Sequence, residues 1–163
     1  MSAHPTTTDA TASCSGELRY DIRIEAPPEL VWRFWTEPDR LVRWMGKVAA
    51  IEPRPGGAFR LEYGSGDVAV GSYVEVDPPR RLVFTWGWDN PAGPVGPGWS
   101  RVEVDLEPLD DDSATRLRLR HLGLPEESRS GHDEGWQHFL ARLANAIAAA
   151  DAQRNATAGE PRP

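Results

Sequence analysis

The sequence predicts an α+β fold, a curved antiparallel sheet of about six or seven strands wrapped around one long C-terminal helix. Two observations carry this reading. Between Lys47 and His121 the chain is a succession of short alternating apolar runs separated by turn residues, with little helix between them. Short connections make such strands antiparallel neighbours. From Ser130 to Ala150 the period changes, and Trp136, Phe139, Leu140, Leu143, Ile147 and Ala150 recur at helical spacing. They form one apolar face, and the sheet must supply the surface that covers it.

Taken in order, residues 1–16 are rich in Ser, Thr and Ala and read as a disordered tail. Leu18, Tyr20, Ile22 and Ile24 alternate with Arg19, Asp21, Arg23 and Glu25, as in a half-buried strand. Pro27-Pro28 ends it and suits a helix start, with Leu30, Val31, Phe34 and Trp35 giving a short amphipathic helix. Pro38 breaks that helix. Leu41, Val42, Trp44 and Met45 carry a second one, closed by Gly46. Strands then follow around Val48–Glu52, Phe59–Tyr63, Val68–Val76, Leu82–Trp88, Val102–Leu106 and Leu117–His121. Pro55-Gly56-Gly57, Gly64-Ser65-Gly66, Pro78-Pro79 and Asp110–Ser113 are the turns. Tyr73 has the opposite parity to Val70, Val74 and Val76, so its facing is open. Ser130 with Asp133 reads as the cap of the long helix, a rod of roughly 30 Å. Gly135 is out of place in it, and a closely approaching backbone, a ligand or a later helix start would each explain it. Residues 151–163 read as a second disordered tail, leaving one domain over residues 17–150.

A net charge of −7 argues against a general nucleic-acid binder, which needs cationic side chains to displace counterions. Cys14, the single cysteine, lies in the N-terminal tail and leaves no cysteine pair or cluster. No apolar run approaches the ~18 residues of a membrane span, and residues 1–15 lack a signal-peptide centre. The expectation is a cytoplasmic protein, monomer or homodimer, without membrane insertion, nucleic acid or cofactor.

Seven tryptophans are more than stability asks for. Trp86 and Trp88 share the apolar face of their strand, Trp44 closes the second short helix and Trp136 opens the long one. Together with Tyr63, Phe139 and Leu140 they make a candidate lining for an aromatic cavity. A filled core with satisfied indole N–H groups is the bland alternative. His121 shares the inward face of Leu117 and Leu119. There it can bond a ligand carbonyl or phenol, or serve as a buried structural histidine. No catalytic set is assigned, because no serine sits in a nucleophile elbow and Cys14 is in the tail. No metal site is expected either. His132 and His138 are six apart on the helix, which does not put two ligands on one face. Arg116, Arg118 and Arg120 and the acidic Glu103, Asp105 and Glu107 read as outer faces of paired strands. Asp89 to Gly98 is the one long irregular connection and is expected to flank a cavity entrance.

The segments Ile24–Trp32, Leu41–Trp44, Gly71–Trp86 and Thr115–His121 resemble the START-like (SRPBCC, helix-grip) superfamily, as does Gly135-Trp136 with Phe139, Leu140 and Leu143. The branch they are most similar to is related to the C-terminal domain of the heat-shock protein 90 ATPase activator. The resemblance implies a cavity between sheet and helix that binds a hydrophobic or aromatic small molecule, with binding expected rather than catalysis. It also implies two alternatives, a cyclase or aromatase acting on a polyketide-type substrate, and a co-chaperone-like interaction module.

Overall fold

The computed structural model describes residues 17–90 and 93–159, with side chains described to residue 153. The elements run β1 (Leu18–Ile24), α1 (Pro28–Thr36), α2 (Pro38–Leu41), β2 (Val48–Ile51), β3 (Ala58–Glu62), β4 (Val68–Asp77), β5 (Arg81–Trp88), β6 (Ser100–Leu109), β7 (Ala114–Leu122) and α3 (Glu126–Gly159). All seven strands join one antiparallel sheet in the order β1-β7-β6-β5-β4-β3-β2. From β2 to β7 each strand pairs with its neighbour in sequence, as short turns dictate. Only β1 and β2 are parted, at opposite edges, and α1 and α2 carry the chain between them. This is a helix-grip fold, with the curved sheet closed by α3.

The alternation in the sequence maps onto the two faces. Along β7, Leu117, Leu119 and His121 point inward and are buried. The outward Arg116, Arg118 and Arg120 lie opposite Glu107, Asp105 and Glu103 of β6. Arg120 reaches Glu103 at 3.0 Å and Glu17 at 2.7 Å, and Arg116 reaches Asp21 at 2.7 Å. The Arg120 hydrogen bond holds the Glu17 carboxyl below its usual range, and Arg116 does the same for Asp21. The half-exposed Arg116–Asp21 pair contributes about 0–1 kcal/mol, and all three pairs specify register as much as stability.

A β-bulge decides the facing of Tyr73. The register of β4 against β5 shifts between Tyr73 and Glu75, so Tyr73 lies opposite the inward Phe84 and Val76 opposite Leu82. The extra residue, Val74, puts both on one face despite their odd spacing. The turn after β6 holds Asp110, Asp111 and Asp112 at positive φ of 50, 57 and 71°. Aspartate tolerates this left-handed region better than most side chains, which suits a hairpin turn.

The core sits between the concave face and α3. Trp136, Leu140, Leu143 and Ile147 of α3 are buried against inward residues of the strands and against α1. At the α1–α2 end, Trp35, Trp44, Phe34 and Leu41 are fully buried and fill the space. Trp35 and Trp44 meet edge to face at 4.8 Å, and the Trp44 indole donates to the Phe34 carbonyl at 2.9 Å.

Three boundaries differ from the sequence reading. α2 runs from Pro38 to Leu41, so Val42, Trp44 and Met45, expected to carry it, lie in the turn after it. α3 begins at Glu126, so Ser130 lies inside the helix and is not its cap. Pro125 followed by the acidic Glu126 and Glu127 starts it instead, a charge pattern that suits the positive end of the helix dipole. At the other end α3 continues through residues 151–159, where a tail was expected. Ala152, Gln153, Arg154 and Ala156 are strong helix formers and extend a helix without an apolar stripe. Residues 1–16, with Cys14, and 160–163 lie outside the described residues.

Candidate functional site

Away from the filled α1–α2 end, the space between sheet and helix opens into a cavity of about 750 Å³. That is within the ~300–1,000 Å³ of typical small-molecule sites. Three pieces of chain build most of it, and Met45, just after α2, adds to the lining. The β3–β4 turn contributes Tyr63 and Ser65 to Val68. The end of β5 and the following loop contribute Trp86, Trp88, Asp89, Asn90 and Gly93 to Val95. One stripe of α3, from Glu127 and Ser128 through Gly131, His132, Gly135 and Trp136 to Phe139, supplies the opposite wall. Spacings of three and four residues keep that stripe on one helical face.

Val95 to Gly98 of the connection after β5 are drawn against the sheet by their own backbone. Val95 accepts from the Trp88 amide at 2.9 Å, and the Gly98 amide donates to the Val70 carbonyl at 3.3 Å. Gly87 permits this approach, since a Cβ there would lie 1.7 Å from the Gly96 carbonyl oxygen. Any side chain at residue 87 would push the loop off the sheet.

The aromatic rings form a circuit around the cavity. Phe139 lies 5.8 Å from Tyr63, Tyr63 lies 5.7 Å from Trp88, Trp88 lies 5.5 Å from Trp86, and Trp86 lies 6.1 Å from Trp136. Trp136 and Phe139 are both on α3, so the helix closes the circuit. Burial alone pushes the Tyr63 phenol above its ordinary pKa, so it stays protonated at neutral pH. Asp67, Asp89 and Glu127 also line the cavity, and among its described lining residues there is no lysine or arginine. Arg60 approaches Asp89 at 3.7 Å.

Two histidines hold the rings in place. The Trp136 indole donates to His121 Nδ1 at 2.9 Å. An indole N–H can only donate, so Nδ1 accepts and the proton sits on Nε2. Nε2 is 2.8 Å from Ser100 Oγ, which in turn donates to the Trp86 carbonyl at 2.8 Å. The same logic fixes His132. Its Nε2 accepts from the indoles of Trp88 at 3.2 Å and Trp86 at 3.4 Å, and its Nδ1 donates to the Ser128 carbonyl at 2.9 Å. Both rings are therefore neutral. Burial pushes both below the ordinary histidine value, His121 furthest and with a further push from His132 beside it.

Acid should therefore destabilise the fold before the carboxylates titrate. The folded pKa of each histidine is depressed, so its contribution is complete above the unfolded value near 6.5 and is lost as pH falls below it. Between pH 7 and 5.5 the expected loss is about 1–2 kcal/mol, read as a falling urea midpoint. Flat stability across that window would show the rings accept protons while folded.

Of the residues singled out in the sequence, Tyr63, Trp86, Trp88, Trp136 and Phe139 line the cavity, and Trp44, His121 and Leu140 do not. Trp44 is fully buried in the filled end, and Leu140 packs in the core. His121 does point inward, but it lies behind Trp136 with both ring nitrogens engaged, so it has no free polar atom for a ligand. Sequence reasoning weighed His132 only as a metal ligand and passed over Gly131 and Ser128. Their signal was present, because the spacing of Gly135, Trp136 and Phe139 extends backwards to all three. Gly135 has no close backbone neighbour. A Cβ at either Gly131 or Gly135 would meet nothing within 4 Å. Each glycine inside α3 costs up to about 1 kcal/mol relative to alanine, so the open space is retained against helix stability.

A sheet gripping a helix, with an aromatic cavity left between them, defines a helix-grip domain of the SRPBCC superfamily. More narrowly, the chain belongs to the family of Activator of Hsp90 ATPase homolog 1-like proteins, which it matches over residues 25–148. It is similar to protein MLL2253 of Mesorhizobium loti, with 24% identity and a TM-score of 0.73 over 82% of this chain and 97% of that one. It is also similar to CalU16 of Micromonospora echinospora, at 29% identity and TM-score 0.65 over 84% and 79% of the two chains. DynU16, from the dynemicin biosynthetic locus, shares 28% identity and TM-score 0.70 over 81% of this chain and 47% of its own. An uncharacterized protein of Schizosaccharomyces pombe, C1711.08, is 24% identical over 111 residues, 68% of this chain. The match spans 31% of that relative's length. No described helix is long and apolar enough to cross a membrane.

Proposed function

We propose that this protein binds a hydrophobic, aromatic-containing small molecule in the cavity between sheet and α3, without altering it. The circuit of five rings from Tyr63 to Phe139 carries this reading. It presents flat apolar surface whose side chains lose little entropy on contact. Fixing Trp86, Trp88 and Trp136 through their N–H groups to histidines preorganises that surface and lowers the cost of binding. The carboxylates of Asp67, Asp89 and Glu127 favour a neutral or cationic ligand over an anionic one. The lining histidine, His132, has both nitrogens committed, which leaves it poorly placed as a general base.

The likeness to DynU16 favours a second reading, an enzyme acting on a polyketide-type substrate. The two readings part on whether a bound compound is returned unchanged. Tryptophan emission titrated with 1-aminoanthracene tests the first. Saturable quenching at one probe per chain is expected, with the probe recovered intact. Absence of binding up to the solubility limit would reject a small-molecule site, and recovery of a converted compound would favour the enzyme.

A further inference from the structure

We infer that Gly131 and Gly135 set the width of the cavity, and that the bare helix backbone they leave is the resting surface for a planar, fused-ring ligand. This deepens the reading that the cavity binds a small molecule and rests on it.

Both glycines sit inside a helix, where glycine is the poorest choice after proline. Usual excuses fail at both. Neither has the left-handed φ that would require glycine, and a Cβ on either would meet no atom within 4 Å. Nothing in the packing therefore selects against alanine. The two residues are one turn apart on the same face, and both line the cavity. Ser128, the third small residue of that stripe, extends it by one further turn. From Ser128 to Gly135 the strip is about 10 Å long at the α-helical rise per residue. That is the length scale of three fused rings. On the sheet side the rings of Trp86 and Trp88 are fixed by their bonds to His132. The space between has a wall of fixed aromatic rings on the sheet side and, on the helix side, a strip of bare backbone beside the side chains of His132, Trp136 and Phe139. A flat ligand fills such a space, and a methyl group on the helix wall intrudes on it.

Gly131→Ala, Gly135→Ala and Gly135→Leu test this by fluorescence titration with two probes, 1-aminoanthracene and the single-ring aniline. The alanine variants should melt at or above the parent temperature, since helix propensity improves and no contact is broken. Each should weaken 1-aminoanthracene by roughly tenfold, and Gly135→Leu by more, while aniline changes by less than about threefold. If the parent binds the probes and the variants bind 1-aminoanthracene equally well, the glycines do not set the width and the inference is overturned. Alanine variants that melt well below the parent would overturn it too, because the glycines would then be structural. A parent that binds neither probe would remove the underlying reading, an outcome visible before any variant is made.

Discussion

Leu143→Ala should destabilise the protein by about 2–5 kcal/mol, the range for truncating a fully buried leucine. Leu143 is 0% exposed, on the α3 stripe with Trp136, Leu140 and Ile147. The sheet grips the helix through this stripe, and the neighbouring core is filled by rigid aromatic rings that collapse poorly into a new void. Its neighbour Arg142 is exposed and contributes a single 3.2 Å bond from Nε to the Trp44 carbonyl. Arg142→Ala should therefore cost about 1 kcal/mol or less. Urea unfolding of the two variants, with unchanged m-values, is the measurement. Equal losses would mean that the helix does not face the sheet through Leu143.

Strand existence and facing were legible because one sheet face is wet, so polar and apolar residues alternate. The pairing of Glu103, Asp105 and Glu107 with Arg120, Arg118 and Arg116 followed from that alternation. Tyr73 was illegible for the converse reason, since a bulge inserts one residue and inverts parity without a sequence mark. The start of α3 was misplaced because Ser130 and Asp133 imitate a capping pattern. Asp133 instead accepts from the Tyr20 hydroxyl at 2.5 Å, across 113 residues of sequence. Within the site, the inward direction of His121 could be read from strand parity. Its depth could not, because Ser100 and Trp136 come from β6 and α3 and only the assembled fold brings their polar atoms to it. The same holds for the tryptophans. Trp44 and Trp88 look alike in sequence, but Trp44 spends its N–H on the Phe34 carbonyl in the filled end and Trp88 spends its own on His132 at the cavity wall.

His121→Ala should cost about 2–6 kcal/mol, through two separable losses. Removing the imidazole leaves a void in a fully buried position, a large-to-small loss of about 1–3 kcal/mol. It also leaves the Trp136 N–H, buried and able only to donate, without an acceptor, at about 1–3 kcal/mol more. Ser100 is less affected, since its hydroxyl keeps the Trp86 carbonyl. Trp136→Phe removes the donor instead and leaves His121 Nδ1 unpaired. Once either partner is gone the second substitution no longer breaks the bond, so the double variant should cost less than the sum of the singles by about 1–3 kcal/mol. Binding separates a structural role from a ligand contact. His121 acts on the cavity only through the seat of Trp136, so His121→Ala should weaken a phenolic probe and a hydrocarbon probe by the same factor. Selective loss of the phenolic probe, with little change in stability and no coupling to Trp136, would put His121 in direct contact with ligand and reverse its assignment as the buried anchor of the cavity wall.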